Sequence, residues 1–256
     1  MIDFKRRDGV AIVRLNRPEK LNSLTGEMIL TLSDLFRGFA SDSSLRAVIL
    51  TGTGEKAFCV GTDISELADG DEAEARNISH RGQVLCDLIE QCPVPVIAAL
   101  NGLAVGGGCE LALACHIRIA SMSVRFSLPE TRLGITPGYG GTQRMPREVG
   151  RSRALEIMLS GREVSAADAE RLGLINRIVE SGELLTEAQS LAQDIAGLAP
   201  LAIRACLESV RVGLELPLAD GLAVETRLFA ELFATADMRE GTRAFLEKRA
   251  PRFKGQ

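Results

Sequence analysis

Asn101-Gly102-Leu103-Ala104-Val105-Gly106-Gly107-Gly108-Cys109-Glu110-Leu111-Ala112-Leu113-Ala114 is the stretch on which the fold turns. A short apolar run set between Asn-Gly and three glycines reads as a strand with a turn before it and a tight corner after it. The apolar residues beyond the corner suit a helix. Just upstream, Pro95-Val96-Ile97-Ala98-Ala99-Leu100 reads as another strand, giving the order strand, turn, strand, glycine corner, helix. The same order stands earlier in the chain. Ala47-Val48-Ile49-Leu50 ends in Thr51-Gly52-Thr53-Gly54, and Ala57-Phe58-Cys59-Val60 ends in Gly61-Thr62-Asp63. We read a weakly repeated ββα unit, carried by element order rather than by residue identity. A third, less regular copy runs from Ile117-Arg118-Ile119-Ala120 to a helix after Pro137-Gly138.

Towards the amino end, Val10-Ala11-Ile12-Val13-Arg14-Leu15 is a strand closed by Asn16-Arg17-Pro18, and Met28, Leu32, Leu35, Phe36 and Phe39 fall on one face of a following helix. From Ser152 the pattern is mainly helical, with stops at Gly161 and Gly173 and a short strand Leu174-Ile175-Asn176-Arg177-Ile178-Val179. Ser165-Ala166-Ala167-Asp168 and Asp237-Met238-Arg239-Glu240 resemble helix caps. The chain thus divides into an α/β body over 1–199 and a helical segment over 200–256.

With 256 residues, 46% hydrophobic and 25% charged, there is apolar surface enough to offset the conformational entropy of folding. A net charge of -4 argues against a nucleic-acid backbone as main partner. The basic positions Arg243, Lys248, Arg249, Arg252 and Lys254 suit either an anionic ligand or a solvated helix face. Six cysteines without paired spacing suit buried, reduced thiols, and no apolar run is long enough to span a bilayer. The amino terminus lacks the apolar core of an export signal, so the expected location is the cytoplasm.

The dinucleotide, triphosphate and serine-hydrolase glycine signatures are absent, and His80 and His116 have no partners at metal-ligand spacing. Acid–base chemistry would therefore fall to carboxylates. Glu110 lies in the first turn of the helix after the triple glycine, among apolar neighbours where a carboxylate is costly unless it is paired or used. A glutamate placed for the helix dipole is the plainer reading. Glu130 follows Ser127-Leu128-Pro129 and alone would pass for a surface turn residue. The glycine corner leaves backbone N–H groups free at a helix start, where they can hold an oxyanion or simply allow close packing.

Four ordered motifs resemble the enoyl-CoA hydratase/isomerase, or crotonase, family. They are Ala57-Phe58-Cys59-Val60-Gly61-Thr62-Asp63-Ile64, Asn101 to Leu111, Phe126-Ser127-Leu128-Pro129-Glu130, and Gly134-Ile135-Thr136-Pro137-Gly138-Tyr139-Gly140-Gly141-Thr142-Gln143-Arg144. The resemblance covers essentially the whole chain. It implies an α/β fold, the crotonase-type spiral of ββα units, with a C-terminal helical trimerisation segment. It also implies an acyl-CoA thioester as substrate, no metal, and no cofactor beyond the coenzyme A of that substrate. Carried over residue by residue, Glu110 and Glu130 are the catalytic pair and the amides of Thr62 and Gly107 form the oxyanion hole. Lys56, Asp63, Ile64, Ser65 and Gly138 are the expected substrate-binding positions. Thr62 departs from the Ala or Gly usual in the family, but a backbone N–H survives that change; His116, where Asp is common, reads as a structural histidine.

Both glutamates together favour a hydratase giving a 3-hydroxyacyl-CoA over a 3,2-enoyl-CoA isomerase, which in this family lacks the counterpart of Glu110, and over another crotonase-type acyl-CoA enzyme, which usually replaces one of the two. A rival of another class is an RNA-binding or scaffold relative, against which the acidic composition counts. The run from Ser65 to Glu74 is acidic and contains a glycine, and reads as a mobile loop beside the acyl pocket. Wide apolar coverage at Leu218, Leu222, Val224, Leu228, Phe229, Leu232 and Phe233 marks an interface, and the resemblance implies that it serves a trimer or a dimer of trimers.

Overall fold

Strands between Ala47 and Ser127 alternate between two sheets in the computed structural model, which describes residues 1–68 and 70–256. The chain opens with β1 (Ile2–Arg7) paired antiparallel to β2 (Val10–Leu15), followed by helix α1 (Gly26–Ser41). The first full turn is β3 (Ala47–Gly52), β4 (Ala57–Cys59) and α2 (Glu72–Glu90). The second is β5 (Val96–Leu100), β6 (Leu103–Val105) and α3 (Gly107–Ala114). The third is β7 (Ile117–Ser121), β8 (Arg125–Ser127) and α4 (Gly141–Val149). In each turn the first strand joins the larger sheet, where β2, β3, β5 and β7 run parallel. The second joins the smaller, where β4, β6 and β8 run parallel.

There is also a shorter turn ahead of these three. Leu24 makes an isolated parallel bridge to Thr62, so β2, Leu24 and α1 repeat the unit with a second strand of a single residue. Its brevity hides it from hydrophobic patterning, which needs several alternating positions.

After the third turn come α5 (Arg151–Ser160), β9 (Val164–Ser165), α6 (Ala166–Leu172), β10 (Arg177–Val179) and α7 (Leu184–Ala196). Strand β3 is buried on both faces. Val48 and Leu50 join the main core, while Ala47 and Ile49 pack towards Leu184, Ala188 and Ala192 of α7. That two-sided burial explains why its sequence is a continuous apolar run. The carboxyl end carries α8 (Pro200–Gly213), α9 (Leu218–Leu232) and α10 (Ala236–Leu246). Helix α8 has no buried residue, and Val210, Leu214, Leu218, Leu222, Phe229 and Phe233 are exposed.

Three expectations need correction. The strand from Leu174 to Val179 contracts to Arg177–Val179, because the left-handed Gly173 turns the chain and the amide of Leu174 donates to the Ala169 carbonyl. The cap of α10 is Thr235, whose hydroxyl accepts from the Met238 amide. Asp237 instead lies buried and accepts from the amides of Lys254 and Gly255. The segment from Ser65 to Glu74 is not loop throughout: Ile64–Glu66 form a 3-10 turn and α2 begins at Glu72. Asp69 lies outside the described residues. No helix among the described residues is long and apolar enough to cross a membrane.

Candidate active site

Parallel pairing of β4 with β6, and of β6 with β8, brings the corners that follow these strands to one edge of the smaller sheet. At the first corner Gly61 has φ of 86°, a left-handed conformation that only glycine adopts cheaply. A Cβ there would also lie 2.8 Å from the Gly107 nitrogen, so the first two corners touch. The Gly61 carbonyl accepts from Leu24, and the Asp63 amide donates to the Leu24 carbonyl. The intervening Thr62 amide has no partner in this bridge, and Thr62 lines the cavity beside it.

At the second corner the Gly106 amide donates to the Ser127 carbonyl, and α3 starts at Gly107. The Gly107 amide belongs to the first turn of a helix, where no earlier carbonyl is in place to accept it. Gly108 must lack a side chain, since its Cβ would fall 2.0 Å from the Cys59 carbonyl oxygen. The triple glycine therefore serves close packing and free amides together. Every residue of α3 is buried, Glu110 among them.

Glu110 is only 1% exposed, and its Oε1 accepts from the amides of Tyr139 at 2.8 Å and Gly141 at 2.6 Å. Burial pushes its carboxyl up to about 7, against the opposing pull of those amides and with a further upward push from Glu130. Both protein hydrogen bonds fall on one oxygen, which leaves Oε2 for a ligand or water. Glu130 opens the 3-10 turn Glu130–Leu133 after β8. Its Oε2 is buried without a protein partner among the described residues, and burial raises its carboxyl as well. An orphaned acidic oxygen inside a cavity is costly unless chemistry uses it.

These groups line one cavity of about 710 Å³ whose walls include Ile64, Leu67, Ile78, Leu133 and Ile135. Of the residues singled out in the sequence, Thr62, Ile64, Gly107, Glu110, Glu130 and Gly138 meet there. Lys56, Asp63 and Ser65 do not line it. Lys56 is exposed beside β4, and its carbonyl accepts from Leu103. The Asp63 carboxylate is taken by Arg17 at 2.7 Å and by Ser65, which hold it down to about 2 and make it a brace for the first corner. Gly138 presents a carbonyl held by Ser79 at 2.7 Å and by Gln83 at 3.0 Å.

Sequence reasoning missed Tyr139. It is 4% exposed, its amide serves Glu110, and its hydroxyl lies 2.7 Å from the Thr62 hydroxyl. One signal was available, namely Gly82 in the middle of α2. A Cβ at Gly82 would sit 2.0 Å from the Tyr139 ring, so the glycine marks a place where an aromatic ring needs the room. Arg144, on α4, anchors the same corner to α2 through Asp87 and Glu90, and donates to the Tyr139 carbonyl. His116 is structural, as expected. Its Nδ1 accepts from the Val96 amide, so Nε2 carries the proton donated to the Glu90 carbonyl.

A larger cleft of about 820 Å³ lies beside α8, lined by Arg118, Arg144 and Arg147. Each of these guanidiniums is already paired with a carboxylate, so the smaller cavity is the chemical centre.

Comparison with known proteins shows what the chain is similar to. A family model described as enoyl-CoA hydratase/isomerase matches residues 5–256. The chain is 41% identical to a short-chain-enoyl-CoA hydratase of Clostridium acetobutylicum, covering 96% of this chain and 94% of that one. It is 38% identical to a crotonyl-CoA hydratase of Syntrophomonas wolfei, covering 98% and 97% respectively. Among solved structures, an enoyl-CoA hydratase from Bacillus anthracis superposes with a TM-score of 0.97 at 40% identity, covering 100% of this chain and 99% of that one.

Proposed function

From the chain's membership of the enoyl-CoA hydratase/isomerase family, we propose that it adds water across the 2,3 double bond of a trans-2-enoyl-CoA, giving a 3-hydroxyacyl-CoA. The observation that carries this reading is the pair of buried carboxyls, Glu110 and Glu130, facing one cavity beside the Thr62 and Gly107 amides.

The two amides accept charge developing on the thioester oxygen, which makes C3 electrophilic. The carboxylate of Glu110 is fixed through Oε1 by the Tyr139 and Gly141 amides. Its Oε2 accepts a hydrogen bond from water and directs the oxygen at C3. Glu130, whose proton affinity burial raises, gives a proton to C2 from the same face in its protonated form. Glu110 takes up the proton that the water loses and releases it to solvent, from which Glu130 is reprotonated, so one water is consumed and the enzyme is restored. No cofactor enters beyond the coenzyme A of the substrate. The apolar walls suit the acyl chain. Relatives named for short-chain and crotonyl substrates support a short 2-enoyl group.

We extend the proposal to assembly: the exposed apolar side chains of α8 and α9 suit packing between copies in a trimer or a dimer of trimers.

The test is hydration of crotonyl-CoA, followed by loss of the conjugated thioester absorbance. Glu110→Gln and Glu130→Gln should each lower kcat by roughly a hundredfold or more, with the double variant losing less than the product of the two. Near wild-type turnover in either single variant would remove the two-carboxyl mechanism. Conversion of a 3-enoyl-CoA without hydration would assign the isomerase reaction instead.

A further inference from the structure

Tyr139 touches three parts of the reacting site, Glu110, Gly107 and Thr62. Its amide donates to Glu110 Oε1, its ring stands where a Cβ on Gly107 would meet Cε2 at 3.0 Å, and its hydroxyl shares a 2.7 Å hydrogen bond with Thr62 Oγ1. The ring has little freedom, because it fills the space that Gly82 leaves open on α2 and its carbonyl is held by Arg144. Thr62 sits on a corner tied to its neighbours through the Leu24 bridge and the Arg17–Asp63 ion pair.

We propose that the Tyr139–Thr62 hydroxyl pair is a latch that fixes the spacing of the two oxyanion amides, with Tyr139 as a positioning residue. This rests on the functional reading above, in which the Thr62 amide holds the thioester oxygen.

The physical reason is geometric. An amide pair stabilises an oxyanion only while both N–H groups point at the place the oxygen will occupy, and that stabilisation falls off steeply with misdirection. One corner of the pair is secured by the buried helix α3. The other lies between the left-handed Gly61 and the 3-10 turn Ile64–Glu66, where the Leu24 bridge holds the residues on either side and leaves the aim of the Thr62 N–H to a side-chain tether. The Thr62 side chain supplies the tether and Tyr139 the fixed post, and the post is the residue whose amide holds Glu110. Burial pushes the Tyr139 phenol up to about 12, so the hydroxyl stays neutral and able to donate throughout the working range. Thr62, read from sequence as a harmless departure, thus has a side-chain role of its own.

The test uses full-length Tyr139→Phe, Thr62→Val, their double variant and Thr62→Ser, all of which keep the Thr62 N–H. Two readouts are taken: kcat and KM for crotonyl-CoA, and the infrared carbonyl stretch of bound butanoyl-CoA labelled with carbon-13 at the thioester. The stretch reports polarisation by the amides and requires no turnover. Tyr139→Phe and Thr62→Val should each lower kcat about tenfold with little change in KM, less than removing a donor outright. Each should return the carbonyl stretch towards its value in solution. The double variant should be no worse than either single one, since both break the same bond. Thr62→Ser should recover most of what Thr62→Val loses. Effects that multiply, or a carbonyl stretch unmoved in both single variants, would overturn the latch. A wild-type protein that polarises butanoyl-CoA but leaves crotonyl-CoA unhydrated would sink the hydratase reading, and the latch would then stand or fall on the stretch alone.

Discussion

Replacing Glu110 by glutamine should make the protein more stable at alkaline pH while it removes turnover. Burial raises the Glu110 carboxyl from its ordinary 4.5 to about 7. At about 1.4 kcal/mol for each tenfold change in proton affinity, charging this group costs the folded state about 3 kcal/mol. A raised native value means that the native protein holds the proton more tightly than the unfolded chain does. Stability is therefore undiminished below 4.5, falls as the pH rises towards 7, and carries the whole penalty above that. Glutamine has no charge to bury, and its carbonyl oxygen can still accept from the amides of Tyr139 and Gly141. The stability of the variant minus that of the wild type should therefore grow by about 3 kcal/mol between the acid and alkaline ends of this range. Urea unfolding at a series of pH values and one protein concentration measures the difference without requiring its absolute size. A difference that stays flat with pH, or shrinks as pH rises, would refute a buried carboxyl of raised proton affinity at this position.

Other outcomes follow from the same structure. The rate at limiting substrate should fall about tenfold per pH unit well below 7, because Glu110 must be ionised to accept from water; a flat acid limb would count against that role. Gly108→Ala should destabilise by about 3 kcal/mol or more, since its methyl would stand 2.0 Å from a backbone oxygen. Gly38→Ala, in α1 with open space around it, should stabilise by about 0.5–1 kcal/mol; thermal unfolding compares the two. Sedimentation of the full chain at assay concentration should show a trimer or a hexamer, whereas a fully active 27.5 kDa monomer would contradict the assembly proposed for α8 and α9.

What sequence reading recovered and what it lost have physical causes. The strands and the face of α1 were legible because a buried sheet and an amphipathic helix impose local periods on the chain. The pairing of Glu110 with Glu130 was legible through resemblance, and the register explains it. Val105 lies opposite Ser127, so the residues just beyond β6 and β8 emerge at one edge. The role of Asp63 was misjudged because proximity to a corner in sequence says nothing of where a carboxylate turns. Arg17, 46 residues earlier, captures it. Tyr139 was lost for a similar reason, since its partners at Gly82, Thr62 and Glu110 are distant in sequence and leave no period. The one-residue bridge at Leu24 was too short to produce one.

An interior helix that begins on an unbonded amide also behaves unevenly towards solvent hydrogen. The later amides of α3 lie inside a fully buried element and should exchange with deuterium only when the molecule opens as a whole. The Gly107 amide belongs to the same helix but lacks an internal acceptor, so water entering the cavity can strip its proton without any unfolding. Filling the cavity with a thioester would close that route. Two adjacent stretches of one eight-residue helix would then report different events, the first the arrival of ligand and the second the survival of the fold.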